Sequence, residues 1–579
     1  MTKDAIAGVM ENIARLLEIK GENPFKFRAY QNAARALETF PGDIDAMAEA
    51  GILQDIDGIG KAIAEKIGTL LREGRLDYYE ELKEEFPADI LTLFELQGLG
   101  GKKIKALYDS LGVASVSKLE RACKDGSVAG LAGFGAKSAG NILLAIGQRK
   151  RSAGSFLLDD ALQLAEEILE FLRAHPAVNL AEVAGSLRRR KPVVRDLDFI
   201  VSSRKPENVI ADFVAMPAVQ QILAKGATKA SILAAGGLQC DLRVVSNTEF
   251  PFALGYFTGS KEHNIRLRSR ALDRGWTLNE YRMAATEGAE AVPDIETERD
   301  LYRALGLDYV PPELRENLGE FEAAENGDLP DLLEWTNLRG TFHNHTTASD
   351  GRATLEQMTL AAQELGLDYL GIADHSKSSV QANGLDEKRL LAQIDDIKKL
   401  NATFGKDFRL FAGTECDIKK DGTLDFSDEI LAQLDYVVIS IHSSFTLGEK
   451  EMTDRIIRAM QNPHATMLGH LTGRLLLTRE PYAVNIPAVI EAAAATGTII
   501  ELNANPRRLE MDWTWWPLAI EKGVLCSINP DAHSTEGLAH LRLGAEVARK
   551  GWLTKAGVIN TLPLSKIAQA LATKRAGMT

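Results

Sequence analysis

Cysteine is scarce. Four residues (Cys123, Cys240, Cys416 and Cys526) are spread over 579 positions without a CxxC pair. That spacing argues against a disulfide framework and for a reducing, cytoplasmic setting. Long hydrophobic runs are also missing. None approaches the roughly 18 uncharged residues of a membrane helix. The opening MTKDAIAGVMENIARLLEIK carries acids inside its apolar stretch, unlike a secretory signal. An excess of positive charge is absent as well. The net charge of −14 excludes a protein that coats nucleic acid through bulk charge, but leaves room for a local basic groove. Histidine is nearly missing from the first 340 residues, where only His175 and His263 occur. The other eight follow, so the chemistry of that half is expected to differ. What is present is ordinary for a globular chain, with 45% apolar and 26% charged residues. The length predicts three to five domains.

Residues 1–150 read as short amphipathic helices. In AIAGVMENIARLLEIK, the apolar positions Ile6, Val9, Ile13, Leu16 and Leu17 share one face. A hydrophobic-Gly-hydrophobic-Gly turn opens a helix three times. The copies are Gly58-Ile59-Gly60 after Asp57, Gly98-Leu99-Gly100, and Gly133-Phe134-Gly135. Glycine permits the tight turn, and the helix N-terminus behind it presents free N–H groups to a phosphate without reading sequence. Lys61, Lys102, Lys103 and Lys137 follow these turns, and residues 101–151 hold ten Lys or Arg against three Asp or Glu. The alternative is a plain packing unit. Three copies with trailing lysines favour helix-hairpin-helix contact with the DNA backbone.

The first chemical site lies in GSLRRRKPVVRDLDFIV, residues 185–201. Asp196 and Asp198 stand two apart where an apolar strand begins, so both side chains point to one face. Adjacent carboxylates repel unless a cation sits between them. Hard ions such as Mg²⁺ take carboxylate oxygens together with substrate phosphates. Asp241 in CDLRVV is a candidate third ligand, and two ions would clamp the attacking and leaving oxygens of an in-line displacement. Gly185, Ser186, Arg188 and Arg189 are candidates to hold a triphosphate.

GSLRR…RDLDF, CDLRVV and ALGYFTGSKEHNIRLRSRALDRGWTLNEY together resemble a family X DNA polymerase, similar to DNA polymerase beta, over about residues 1–316. The resemblance implies that Asp196, Asp198 and Asp241 hold two Mg²⁺ ions, and that Ser186 and Arg189 touch the incoming triphosphate. It implies that Tyr256, Phe257 and Gly259 lie under the sugar, that Asn264 makes a minor-groove contact, and that Arg268 checks the nascent pair. Lys261, Ile265, Arg190 and Arg195 depart from beta; the last two replace glycines of the Gly-Ser loop. NPFKFRAYQNAARALETFP resembles the family's gap-binding domain. There Lys26 and Tyr30 fall where a 5′-phosphate is gripped. Lys66 falls on a lyase Schiff-base lysine, although Ala62 replaces a neighbouring lysine.

From Thr341 onward, apolar strands repeatedly end in metal-type residues: His343 and His345, Asp350, His375, Glu415, His442, His470, and Asp531 with His533. Alternating strand and helix patterns predict a parallel α/β barrel, whose chemistry gathers on the C-terminal rim. Nine ligands exceed one ion's needs and suit two or three Mn²⁺, Zn²⁺ or Fe²⁺. Such ions acidify water and polarise phosphoryl oxygens, giving phosphate-ester hydrolysis. His464 and His540 fit no strand end. Arg507 and Arg508 read equally as phosphate ligands or surface charge. HNHTTASDG, ADH, GTE, IH, GH and PDAH resemble the PHP (polymerase and histidinol phosphatase) family over about residues 338–579. That resemblance implies a distorted seven-stranded (β/α)₇ barrel with a trinuclear centre.

The expected fold is multidomain α/β. It comprises helical helix-hairpin-helix domains at 1–88 and 89–152, an α+β nucleotidyltransferase palm at 153–253, a thumb at 254–316, a linker at 317–337 and the PHP barrel at 338–579. The acidic, Pro- and Gly-dotted stretch 311–335 reads as a connector. The expected activity is gap-filling DNA synthesis in base excision repair with Mg²⁺ or Mn²⁺. It is joined to 3′→5′ exonuclease action, with apurinic-site endonuclease or 3′-phosphatase activity as further outcomes. Expected partners are gapped or nicked duplex DNA and dNTPs, with no membrane. A monomer in the cytoplasm, associated with the nucleoid, is expected. The rival is a metal-dependent DNA phosphoesterase whose polymerase half serves mainly to bind DNA.

Overall fold

The computed structural model describes residues 1–40, 44–56, 58–96 and 98–577. Asp57 of the first turn lies outside them. The chain divides into two compact units, Met1–Ala153 and Gly154–Thr579.

The first unit is helical. Lys3–Lys20 is capped by the Thr2 hydroxyl at one end and by left-handed Gly21 at the other. Ile6, Val9, Ile13, Leu16 and Leu17 all face its core. The three repeat copies share one geometry. Gly58, Gly98 and Gly133 have φ of +88°, +85° and +84°, a conformation that disfavours any side chain. Helices Lys61–Glu73, Gly101–Leu111 and Ala136–Ser152 then start behind Gly60, Gly100 and Gly135.

The second unit opens with a mixed sheet. Its strands are β1 (Val178–Val183), β2 (Asp196–Ser203), β3 (Val219–Lys225), β4 (Lys229–Ala234) and β5 (Gln239–Val245), in the order β1-β2-β5-β4-β3. β2 and β5 are parallel. Thumb helices follow at Phe250–Thr258, Lys261–Leu272 and Glu298–Ala304. They are joined to the sheet by a buried ion-pair network. Glu298 accepts from Arg188 at 2.6 Å and from Arg315 at 2.6 Å, and Arg188 also donates to the Thr258 hydroxyl at 2.7 Å.

The segment expected as a linker is folded instead. Helix Glu320–Asn326 buries Phe321, and the fully buried Glu320 accepts from His263 Nδ1 at 2.8 Å. Leu333 N donates to Leu553 O at 3.0 Å. The acids that make this stretch look like a solvated connector are the groups that anchor it.

The barrel follows, with strands β6 (Gly340–Thr341), β7 (Tyr369–Ile372), β8 (Arg409–Ala412), β9 (Glu415–Asp417), β10 (Val438–Ser440), β11 (Met467–Leu468), β12 (Ile499–Asn503) and β13 (Cys526–Asn529). All pair in parallel, as β6-β7-β8 and β9-β10-β11-β12-β13. Only Gly413 and Thr414 separate β8 from β9, so the eight segments trace seven strand paths. A parallel bridge between His375 and Glu415 spans that break, and one between Asn344 and Ala532 closes the ring. The Tyr436 ring packs so close to Gly413 that no Cβ fits there. Phe342, Tyr369, Phe411 and Tyr436 fill the interior at this level.

Candidate active sites

The palm site is built from strand register. Asp198 on β2 stands opposite Asp241 on β5, and Asp196 lies two residues earlier on the same face. Three acids therefore gather, and Arg243 and Arg189 offset only part of the charge at Asp198. Burial, then Asp196 and Asp241, pushes the Asp198 carboxyl up to about 7. Burial, then Asp241, also raises Asp196. Asp241 is oriented by the Ser231 hydroxyl and by Gln239 Nε2 at 2.9 Å. An all-oxygen donor set with repelling charges fits a hard divalent cation. Gly185 has φ of +63°, and the Asp198 carboxylate occupies the space a Cβ would take. The glycine of the GSLRR loop is thus required by the approach of Asp198.

The loop arginines are engaged within the protein. Arg188 belongs to the Glu298 network. Arg189 Nε meets Glu316 at 3.1 Å, and its Nη1 donates to the Thr258 carbonyl. Tyr256 and Phe257 pack edge to face at 5.1 Å. Asn264 Nδ2 donates to the Tyr256 carbonyl at 2.7 Å, and Ser260 caps the helix that carries Asn264. Arg268 is exposed, and its Nε reaches Asn264 O at 3.4 Å. Gly259 lies against the Arg189 guanidinium. Ser186 lies in the short helix Gly185–Arg188 beside the carboxylates.

The barrel site is different in kind. All nine predicted ligands come together. Four groups have donor atoms within 4.8 Å of one another: His345, Asp350, His375 and His533; His343, His345 and Glu415; His343, His470 and Asp531; and His375, Glu415 and His442. Among the described residues, no other His, Cys, Asp and Glu group meets that spacing, the palm acids included. Glu415 is the hub, at 2.8 Å from His375 Nδ1, 2.8 Å from His470 Nε2 and 3.1 Å from His442 Nε2. His343 Nε2 and both ring nitrogens of His345 are buried without a hydrogen-bond partner. Such orphaned nitrogens fit metal coordination.

The local field agrees. Burial would raise the Glu415 carboxyl, but His442, His375 and His343 hold it well below the carboxylate range. His345 falls to about 4 through burial and the neighbouring His533 and His375. His442 is held up at about 10 against burial by Glu415 and Asp417. In the protein alone, protons on imidazole answer the carboxylate charge. Divalent cations answer the same field while keeping the ligands deprotonated.

The sequence reading missed the outer carboxylates. Glu501 meets His343 Nδ1 at 2.6 Å, and Asp417 meets His442 Nδ1 at 2.9 Å. Such partners fix imidazole orientation. Asp417 follows Glu415 by two on the same strand, which was an available signal; Glu501 sits inside β12 rather than at its end. Arg508 pairs with Asp531 at 3.3 Å, which settles it as an internal partner. Exposed Arg507 lines a cavity of about 700 Å³ with Arg352, Asp350, Asp531 and His533. The same cavity reaches His540 and the palm residues Asp159 and Asp160. Neither His540 nor His464 joins a metal group.

In the first unit, Tyr30 is buried and stacks on Tyr78 at 6.4 Å. Lys66 Nζ lies 5.2 Å from the Tyr78 ring centroid, and Lys26 pairs with Glu22 at 3.2 Å. Lys61 is exposed at the start of its helix. Nothing within 4 Å covers a Cβ position on Gly60, Gly98, Gly100, Gly133 or Gly135, so these turns are open to an approaching backbone.

A helix-hairpin-helix unit, a carboxylate palm with a thumb, and an imidazole-rich barrel define a DNA-handling phosphoryl-transfer protein. Comparison with known proteins agrees. The helix-hairpin-helix domain family matches residues 1–76, the SAM-like helix-hairpin-helix tandem 90–148, the DNA polymerase beta thumb 253–316 and the PHP domain 341–505. The chain is 39% identical over 569 residues to the DNA polymerase/3′-5′ exonuclease PolX of Bacillus subtilis (strain 168), covering 98% of this chain and 99% of that one. It is 26% identical over 343 residues to DNA polymerase lambda of Rattus norvegicus, covering 53% and 55% of the two chains. A probable phosphatase of Thermoanaerobacter sp. (strain X514) is 25% identical over 248 residues, 40% of this chain and 94% of its own. The chain belongs to the family X DNA polymerases that carry a C-terminal PHP domain, and it uses divalent metal and acts on DNA. No helix among the described residues is long and apolar enough to cross a membrane.

Proposed function

We propose that this protein extends DNA 3′ ends across short gaps in base excision repair and trims those ends with a 3′→5′ exonuclease in the barrel. Its substrates are gapped or nicked duplex and dNTPs. The observation that carries this reading is the pair of unlike acidic centres in one chain, one of carboxylates alone and one rich in imidazole.

Asp196, Asp198 and Asp241 would hold Mg²⁺ or Mn²⁺ in the palm, which would supply positive charge against the phosphates. The primer 3′-OH attacks the α-phosphorus of the dNTP, the α–β bridge breaks and pyrophosphate leaves. Ser186 and Arg189 bind the triphosphate. Tyr256, Phe257 and Gly259 support the sugar, and Asn264 and Arg268 face the nascent pair. The nine barrel residues would hold two or three Mn²⁺, Zn²⁺ or Fe²⁺, which would supply Lewis acidity for phosphodiester hydrolysis. Arg352 and Arg507 stand in the adjoining cavity, placed to receive a phosphate.

The turns formed by Gly58 and Gly60, Gly98 and Gly100, and Gly133 and Gly135, with Lys61 and Lys26, take the DNA backbone without base readout. Tyr30 packs beneath that surface. Lys66 is assigned as the Schiff-base lysine of a lyase step, which borohydride trapping of an apurinic substrate tests. Four free, buried cysteines fit a reducing cytoplasm, and the glycine turns of the first unit fit association with the nucleoid.

The test is one gapped duplex with a labelled primer, assayed for extension and shortening. Asp198→Ala is expected to lose extension and keep shortening. The double variant His343→Ala/His345→Ala is expected to do the reverse. If both variants lose both activities, the assignment of two separate sites fails.

A further inference from the structure

Two basic residues of the nucleotide loop, Arg190 and Lys191, have partners in the barrel. Arg190, at φ of +56°, reaches Glu546 at 2.7 Å. Lys191 reaches Glu316 at 3.1 Å and lies 4.5 Å from the Trp513 ring centroid. Glu546 sits on the barrel helix His540–Lys550. The last residue of that helix, Lys550, is fully buried. Its Nζ meets Glu316 at 2.7 Å, donates to Glu313 O at 3.2 Å and lies 4.2 Å from Trp513. Glu316 is the carboxylate that holds Arg189.

One acid therefore faces three cations, Arg189, Lys191 and Lys550. Two come from the nucleotide loop and one from the barrel. Because Lys550 shares the carboxylate, the loop keeps a surplus of positive charge, and the Arg189 side chain is held at Nε and Nη1. Coulomb attraction in a partly buried site is weakly screened, so the surplus is felt by a triphosphate. The low dielectric also bears on Lys550, whose ammonium is pushed down to about 8 by burial despite Glu316.

We propose that the barrel helix sets the nucleotide affinity of the polymerase site, with Lys550 a positioning residue that acts through Glu316 on Arg189. This rests on the reading that Arg189 binds the triphosphate. Without the Lys550 charge, Glu316 falls wholly to Arg189 and Lys191, and the loop offers less charge to the phosphates.

The experiment is single-nucleotide insertion on a gapped duplex with Mg²⁺, using full-length Lys550→Gln, Lys550→Arg and Arg189→Lys proteins, with shortening measured alongside. Lys550→Gln is expected to raise KM for dNTP roughly tenfold, equivalent to about 1.4 kcal/mol, with kcat within about twofold. Shortening is expected to stay unchanged, and Lys550→Arg to return KM toward the parent. Should Lys550→Gln fail to give the parent's cooperative melting, Glu546→Gln carries the test. It releases Arg190 and is expected to lower KM roughly threefold on the same electrostatic ground. An unchanged KM in whichever folded variant carries the test overturns the proposal, provided Arg189→Lys raises KM. If Arg189→Lys leaves KM unchanged, the triphosphate reading itself is the part that fails.

Discussion

The palm and the barrel both gather negative charge, but they do so differently. The palm places three carboxylates on two parallel strands, open to solvent at Asp196. The barrel places six imidazoles and three carboxylates at strand ends, mostly buried, with Glu415 and His343 essentially without solvent exposure. Oxygen ligands alone suit ions that arrive with phosphates and leave with them. Imidazole with carboxylate suits ions that stay. Burial, reinforced by the neighbouring acids, pushes the Asp198 and Asp196 carboxyls up. The barrel carboxylates are held ionised by the imidazoles around them. The first site waits for its substrate to bring charge, and the second is prepared for cations in advance.

The comparison can be broken most severely at Glu415. Glu415→Gln is expected to lower the shortening rate by at least about 10³-fold, since it removes the charge shared by two of the donor groups, and to leave extension within about twofold. Equal loss of both activities would erase the distinction between the sites. Chelation sharpens it. After brief chelator treatment and removal, Mg²⁺ alone is expected to restore extension, while shortening returns only with Mn²⁺, Zn²⁺ or Fe²⁺. Recovery of both by Mg²⁺ would show that the barrel does not discriminate.

The seam between palm and thumb gives a pH test. Burial would raise the Glu298 carboxyl, but Arg315 and Arg188 hold it at about 2. Its folded value is depressed, so its contribution is complete above the unfolded value near 4.5. The contribution is lost as pH falls toward about 2, and amounts to roughly 3 kcal/mol. The melting difference between parent and Glu298→Gln is expected to be largest at neutral pH and to shrink below about pH 4.5. A difference independent of pH would remove the ion pair from the account. The smallest effect concerns the first unit. Lys102→Ala is expected to weaken duplex binding equally across sequences and to reduce the salt slope by about one. A sequence-dependent loss would contradict backbone-only contact.

The barrel was legible because its chemistry recurs. Apolar runs repeatedly lead into a His, Asp or Glu, and the nine residues so marked are those the fold brings together. The repeat turns were legible for the same reason, since three glycine pairs opened three helices. Glu501 escaped because it sits inside an apolar strand, where an acid reads as an exception rather than as a partner of His343. The 317–337 segment was misread because composition cannot show that Glu320 is buried against His263. Glu316 and Lys550 are 234 residues apart, and no local pattern links two charges across that span. The departure at Arg190 carried a signal, but only the fold supplies its partner, Glu546.

Anomalous scattering from crystals of the full chain grown with Mn²⁺ tests the central claim most directly. The account predicts two or three peaks bounded by His343, His345, Asp350, His375, Glu415, His442, His470, Asp531 and His533. In the presence of DNA and a non-reactive dNTP analogue, it predicts a separate set between Asp196, Asp198 and Asp241. Peaks confined to one region, or a barrel without any, would contradict it.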